Sequence, residues 1–309
     1  MVLPVLFATV SLLSLSFASA ATRPLVLWHG MGDSANSPGM LRFADEIRNV
    51  HPGIFIHSVY FDEDLDKDRR AGFFGNVNDQ VQLAWEQIST IPELDGGFNA
   101  LGFSQGGQFL RAYVERYNFP AVFNLITFGS QHMGISDIPV CSPRDFLCQM
   151  ARRATKAGVY NSWAQDNLVQ AQYFRDPANL AAYYSSNSFL TSINNELAVS
   201  RNETYAGNLA LLNKLVLIRF SEDKTVVPPE SSWFGSEVVD GDEDASYGSQ
   251  RVLGTGRTML SMREQPLYQE DWIGLRELDE RGGIEFLVCE GQHMQIDGCW
   301  EDIVREFAV

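Results

Sequence analysis

An α/β fold, built on a doubly wound and mostly parallel sheet, is the architecture this chain predicts, and two patterns carry the expectation. Apolar runs alternate with segments of helical spacing in a βαβαβ order from residue 25 to residue 128, which specifies parallel strands with helices on both faces. Several of the runs are apolar throughout, among them Leu25-Val26-Leu27-Trp28 and Leu215-Val216-Leu217-Ile218. Strands buried on both faces read this way, whereas half-exposed strands alternate with polar residues. With 309 residues, 45% of them hydrophobic and 12% aromatic, the chain can fill a large core and is too apolar for disorder.

Taken in order, residues 1–20 carry no charged side chain and end in the small-x-small sequence Ala18-Ser19-Ala20. They are expected to be a secretory signal peptide, leaving residues 21–309 as one α/β domain. No later stretch approaches the ~20 apolar residues that a bilayer crossing needs, so no stable membrane insertion is expected. The strand Pro24–Trp28 runs into the glycine-rich turn His29-Gly30-Met31-Gly32-Asp33. Met40–Val50 has helical spacing, stopped by His51-Pro52-Gly53, and Ile54–Tyr60 is the next strand. In the charged run Asp62–Arg70, three aspartates fit the odd positions of a calcium loop, but Lys67 and Phe73 stand where glycine and glutamate are required. The run is expected to be a solvated loop.

Asn76–Ile91 is a further helix, followed by the strand Phe98–Leu101, a helix over Gln105–Tyr117 and a strand over Ala121–Phe128. The alternation then stops. Residues 130–213 are expected to form a largely helical cap or insertion, with a subset of its apolar residues facing the site as a groove. The strand pattern returns at Leu215–Phe220, ahead of Ser221-Glu222-Asp223, and last at Ile284–Val288, ahead of Glu290-Gly291-Gln292-His293 and a short terminal helix. A second acidic run, Glu237–Asp244, fails the calcium template as well and reads as an exposed loop.

The chemistry centres on Gly102-Phe103-Ser104-Gln105-Gly106. A serine between two glycines, after a strand and before a helix, is the pattern of a nucleophile elbow, in which a sharp turn lifts Oγ out of the sheet and the helix N-terminus favours an oxyanion. In the α/β-hydrolase fold the triad runs Ser, then Asp or Glu, then His, each at a strand's carboxyl end. Of the five histidines only His293 follows Asp223. Ser104, Asp223 and His293 are therefore the expected nucleophile, acid and base, with Glu222 and Glu230 as alternative acids. The backbone amides of Gln105 and Met31 are the expected oxyanion donors. No metal and no cofactor is expected.

Four cysteines in a secreted chain suggest disulfides. Three pairings are possible; Cys141–Cys148 and Cys289–Cys299 are favoured because each closes a short loop. Asn202-Glu203-Thr204 is a glycosylation acceptor. The formal charge of −16 argues against nucleic-acid binding.

The strings Leu25–Ser34, Gly102–Arg111, Gly129–Gly134 and Trp233-Phe234-Gly235 resemble the palmitoyl-protein thioesterases, closest to their lysosomal type 1 members, in the same order over nearly the whole chain. The resemblance implies removal of long fatty acyl groups from S-acylated cysteines of proteins in the lysosome or a vacuole. A monomer is expected. The resemblance assigns the same triad and the amides of Met31 and Gln105, and places Gln131, Thr225 and Val226 at the acyl groove. It departs from the animal pattern in the long acidic stretch Glu237–Arg251 and in having one glycosylation acceptor. The competing readings are a lipase or carboxylesterase acting on oxygen esters with the same triad, and a catalytically silent acyl-binding protein.

Overall fold

A computed structural model describes residues 22–137, 158–238, 250–251 and 258–309. The strands are β1 Leu25–Trp28, β2 Ile56–Ser58, β3 Phe98–Phe103, β4 Val122–Phe128, β5 Lys214–Phe220, β6 Ser236–Val238, β7 Gln250–Arg251, β8 Thr258–Leu260 and β9 Ile284–Cys289. Six of them form one parallel sheet in the order β2-β1-β3-β4-β5-β9. The chain leaves β1 first to one side and then, from β3 onward, to the other. The carboxyl ends of β1 and β3 therefore flank the point where the strand order reverses, the crevice in which open α/β sheets bind ligands.

Alternation along each strand decides what covers each face. Leu25, Leu27, Leu101, Phe103, Ile126 and Phe128 share one core with Met40, Phe43, Ala44 and Ile47 of helix α1 (Pro38–Val50) and with Ile303, Val304 and Phe307 of the terminal helix Trp300–Phe307. Val26, Trp28, Ala100, Leu125 and Leu217 face the other way. They meet helix α3 (Val77–Ile88) and helix α4 (Gln105–Arg116).

Two expectations change. Asp62–Arg70 is not a solvated loop: helix α2 spans Leu65–Ala71, its first amides held by the Asp64 carboxylate. Asp68 turns inward, 1% exposed, and accepts from the Ala35 and Phe61 amides at 2.8 Å each. An aspartate can cap a helix or brace a loop as readily as it can face water, and a template for metal binding does not test for either. Glu237 likewise lies buried in β6, part of a small antiparallel sheet β6-β8-β7, whereas residues 239–244 of the second acidic run lie outside the described residues.

The inserted segment contributes short helices at Ser162–Asn167, Leu180–Ser186, Leu190–Ile193 and Glu203–Ala210. Val169, Tyr173, Phe189, Leu190 and Ile193 join the core on the α4 face of the sheet. Backbone bonds from Gly75 to Asn167 (3.0 Å) and from Val169 to Phe73 (3.1 Å) fasten residues 167–169 beside the chain leading into α3.

Arg111 fastens the insertion from below. Fully buried on α4, it donates to Glu115 (2.9 Å), the carbonyls of Ile193 (3.1 Å) and His132 (3.0 Å) and the Asn194 side chain (2.9 Å), and its guanidinium lies 5.1 Å from the Phe234 ring centre. Burial pushes the Glu115 carboxyl up to about 7, against the pull of Arg111 and Arg116; burial raises Glu196 too, against Arg175. An acid with a folded pKa above its unfolded value stabilises the fold below the unfolded pKa, and that stabilisation is lost as pH rises through the folded one. The midpoint of urea unfolding is therefore expected to fall between pH 4.5 and about 7. In Glu115→Gln the fall should shrink; a wild-type midpoint that rises across this window would contradict the assignment.

Candidate active site

At the end of β3 the backbone must turn through Ser104, whose φ of 51° is one that side chains other than glycine rarely adopt. The strain is held by close packing that only glycines allow. A Cβ on Gly102 would stand 2.3 Å from the Gly107 Cα, and one on Gly106 would stand 2.4 Å from the Trp28 carbonyl oxygen. Gly107, not singled out in the sequence, is as tight, with the Ser130 hydroxyl 2.1 Å from a notional Cβ. Helix α4 is thereby pressed onto β1 and β3, and Ser104 sits at its N-terminus without using its hydroxyl as a cap.

Oγ of Ser104 lies 3.1 Å from Nε2 of His293, and Nδ1 of His293 lies 2.7 Å from Oδ2 of Asp223. The other Asp223 oxygen accepts from the amides of Thr225 (2.8 Å) and Val226 (3.0 Å). Both oxygens are thus engaged. Gly129, at φ 60°, leaves room for the His293 ring, since a Cβ there would stand 3.0 Å from its Cε1. The Phe220 ring meets the imidazole edge-on at 5.7 Å. Of the alternative acids, Glu222 is exposed and Glu230 pairs with Arg219 at 3.3 Å.

The loops carrying Asp223 and His293 are laced together. Ser221 donates to the Cys289 carbonyl (3.0 Å), Glu222 to that of Gly291 (2.8 Å), and Gly291 to the Ser221 hydroxyl (3.0 Å). The Cys289–Cys299 disulfide closes the His293 loop from its other side. Closing a loop of this size withdraws about 3 kcal/mol of chain entropy from the unfolded state. Cys299→Ala is expected to cost that much in urea unfolding; an unchanged midpoint would mean that the bridge does not restrain the loop. Cys141 and Cys148 lie outside the described residues.

On the opposite side of Ser104, a Cβ on Gly30 would stand 3.3 Å from the Ser104 Cβ, so the turn after β1 lies directly against Ser104. The backbone amides of Met31 and Gln105 have no hydrogen-bond partner among the described residues. The first turn of α4 holds no acidic residue to offset its positive end. A cleft of about 640 Å³ opens beside this turn, lined by Met31, Met40, Phe43, Phe103, Met294 and Ile296 among others. A second cleft, of about 350 Å³, lies away from it between Trp233, Met259, Met262 and Phe286. Gln131 is buried, with its carbonyl held by Gln108, Val226 is buried and Thr225 is half-buried. Asn202 is exposed at a helix N-terminus. Among the described residues no cluster of His, Cys, Asp and Glu is able to hold a metal ion, and no helix is long and apolar enough to cross a membrane.

A hydroxyl, an imidazole and a carboxylate in contact at the carboxyl edge of a parallel sheet, facing two amides with no partner, can move a proton from Oγ while an anion is stabilised alongside. Fold and site together define an α/β-hydrolase. A family model described as palmitoyl protein thioesterase matches residues 24–293, and the chain belongs to that family. It is 40% identical to palmitoyl-protein thioesterase 1 of Caenorhabditis elegans over 95% of this chain and 94% of the relative. It is 31% identical to palmitoyl-protein thioesterase 3 of Dictyostelium discoideum over 94% and 91% of the two. Its identity to a lysosomal thioesterase, PPT2 of Rattus norvegicus, is 26% over 85% and 78%.

Several residues that shape the site escape a sequence reading: Asp68, Gly107, Arg111, Gln170 and Tyr173. The i, i+4 pair of Arg111 and Glu115 inside an otherwise apolar helix is the one available signal, because two charges among buried residues must neutralise each other.

Proposed function

We propose that this chain hydrolyses the thioester of long-chain fatty acyl groups on protein cysteines through Ser104, His293 and Asp223. The observation that carries the reading is the continuous contact from Oγ through the imidazole to the buried carboxylate, in a member of this family. His293 takes the Ser104 proton as Oγ attacks the acyl carbonyl, and Asp223 holds the imidazole in the required tautomer and stabilises its cation. The oxyanion is met by the amides of Met31 and Gln105. Collapse of the tetrahedral intermediate expels the cysteine sulfur, which His293 protonates, and leaves an acyl-Ser104 ester. Water, deprotonated by the same imidazole, attacks that ester, and the fatty acid departs.

The substrate class is S-palmitoylated proteins and peptides, with the acyl chain bordered by Gln131, Thr225 and Val226 and by the inserted segment, residues 130–213 of a single domain spanning 21–309. The protein acts as a monomer in the lysosome or a vacuole, reached through the signal peptide and with a glycan on Asn202. The test compares an S-palmitoyl peptide with its O-palmitoyl serine counterpart across chain lengths. Faster turnover of the long-chain thioester is expected, whereas a preference for short oxygen esters would make the enzyme a carboxylesterase.

A further inference from the structure

We infer that the inserted segment sets the oxyanion site, through Gln170 and Tyr173 acting as positioning residues. The inference rests on the catalytic reading above and extends it to groups that never touch substrate. The two residues whose amides face the oxyanion are each held by their side chains from the insertion. Nε2 of Gln170 lies 3.1 Å from the Met31 sulfur and donates to the Gly72 carbonyl at 2.9 Å. The Tyr173 hydroxyl donates to Oε1 of Gln105 at 3.0 Å, while Nε2 of Gln105 donates to the same Gly72 carbonyl at 3.0 Å. Gly72, at the end of α2, is itself pressed against the turn after β1, since a Cβ on it would stand 3.5 Å from the Gly32 amide. One carbonyl is thus the common acceptor of an elbow residue and an insertion residue.

The turn after β1 is held from both sides. Within it the Gly30 carbonyl, part of the Met31 peptide, accepts from the Asp33 amide at 3.3 Å and lies 2.9 Å from Nδ1 of His29, while the Met31 side chain is held from the insertion by Gln170. The arm that holds it is fastened in turn. Gln172, between the two positioning residues, accepts from the Val77 amide at 2.7 Å and donates to Gly75 at 2.8 Å. Gln170, Gln172 and Tyr173 are all buried. Burial pushes the Tyr173 phenol well above its usual value, so it remains a donor at every working pH. Preorganised donors accelerate a reaction only if they are already aimed, and displacements of an ångström cost up to about a hundredfold.

The test is a matched pair of phenol deletions, Tyr173→Phe and Tyr113→Phe. Tyr113 donates to the Pro120 carbonyl at 2.7 Å and is equally buried, but lies outside the site. Turnover of an S-palmitoyl peptide, inactivation by a long-chain fluorophosphonate and thermal unfolding would be measured for each, with rates referred to titrated active sites. Tyr173→Phe is expected to lower kcat about tenfold with KM within about twofold, and to slow fluorophosphonate inactivation by the same factor. Tyr113→Phe should lose comparable stability and keep wild-type rates. Gln170→Leu provides the second variant, with the same split between kcat and KM. An unchanged kcat in Tyr173→Phe and Gln170→Leu, or an equal loss in Tyr113→Phe, overturns the inference while leaving the triad intact. Failure of the fluorophosphonate to label Ser104 in the wild type would remove the catalytic reading and the inference with it.

Discussion

Ser104→Ala is expected to lower kcat for an S-palmitoyl peptide by roughly five to six orders of magnitude while leaving the fold in place. The size follows from the loss of the covalent route: without Oγ, His293 has no nucleophile to deprotonate, and what remains is water beside an oxyanion site. The fold should persist because the Ser104 hydroxyl makes one hydrogen bond among the described residues, with His293, whereas its backbone amide still donates to the Phe128 carbonyl at 2.7 Å. Alanine keeps the same Cβ, so the strained φ is no worse. Asp223→Asn should cost about ten-thousandfold, because an amide in place of the carboxylate favours the tautomer with the proton on the wrong nitrogen. Both losses are read from kcat with circular dichroism as the control. Hydrolysis by Ser104→Ala above a hundredth of the wild-type rate would remove Ser104 from the nucleophile's role.

The second large effect concerns stability. Arg111→Leu is expected to destabilise the protein by about 3–5 kcal/mol, measured by urea unfolding, because it strands a buried carboxyl and three further acceptors at once. Those acceptors lie on α4, on the turn after β4 and on the insertion, so the loss should also loosen the insertion against the sheet. Replacing both partners, Arg111→Met with Glu115→Met, should recover part of the loss, since no charge is then left unpaired. A single variant within about 1 kcal/mol of the wild type would mean that water reaches the pocket and satisfies the carboxylate.

The elbow and the order of the proposed triad were legible because their demands are local or topological. Gly102 and Gly106 are dictated by a turn of five residues, and His293 is the one histidine placed after Asp223. The strands β1, β3, β4 and β5 were legible for a related reason: continuous apolar runs have few alternatives in a chain of this composition. What was not legible depends on partners distant in sequence. The burial of Asp68 becomes evident only when Ala35 and Phe61 arrive beside it. Thr225 and Val226 were expected at the acyl groove; that their amides also hold Asp223 depends on how the loop after β5 folds back. Gln170 and Tyr173 lie in a stretch with no repeating pattern, and their contacts with Met31 and Gln105 span 139 and 68 residues. The small sheet β6-β8-β7 went unseen because strands of two or three residues carry too little periodicity to register.

The placement of the site along the chain has a bearing on how the protein is made. Ser104 and both proposed oxyanion donors precede β4, whereas Asp223 and His293 follow the last two strands to join the large sheet, with Ser104 and His293 standing 189 positions apart. A chain still being synthesised can form β1, β3 and the elbow, yet it holds only an ordinary serine, with no imidazole to draw its proton. The proposed triad is complete only when β9 closes the sheet edge and the loop after it meets Asp223. Under the proposed triad, hydrolysis is a property of the completed sheet: a chain folded only as far as β4 holds the serine and both amides without the imidazole.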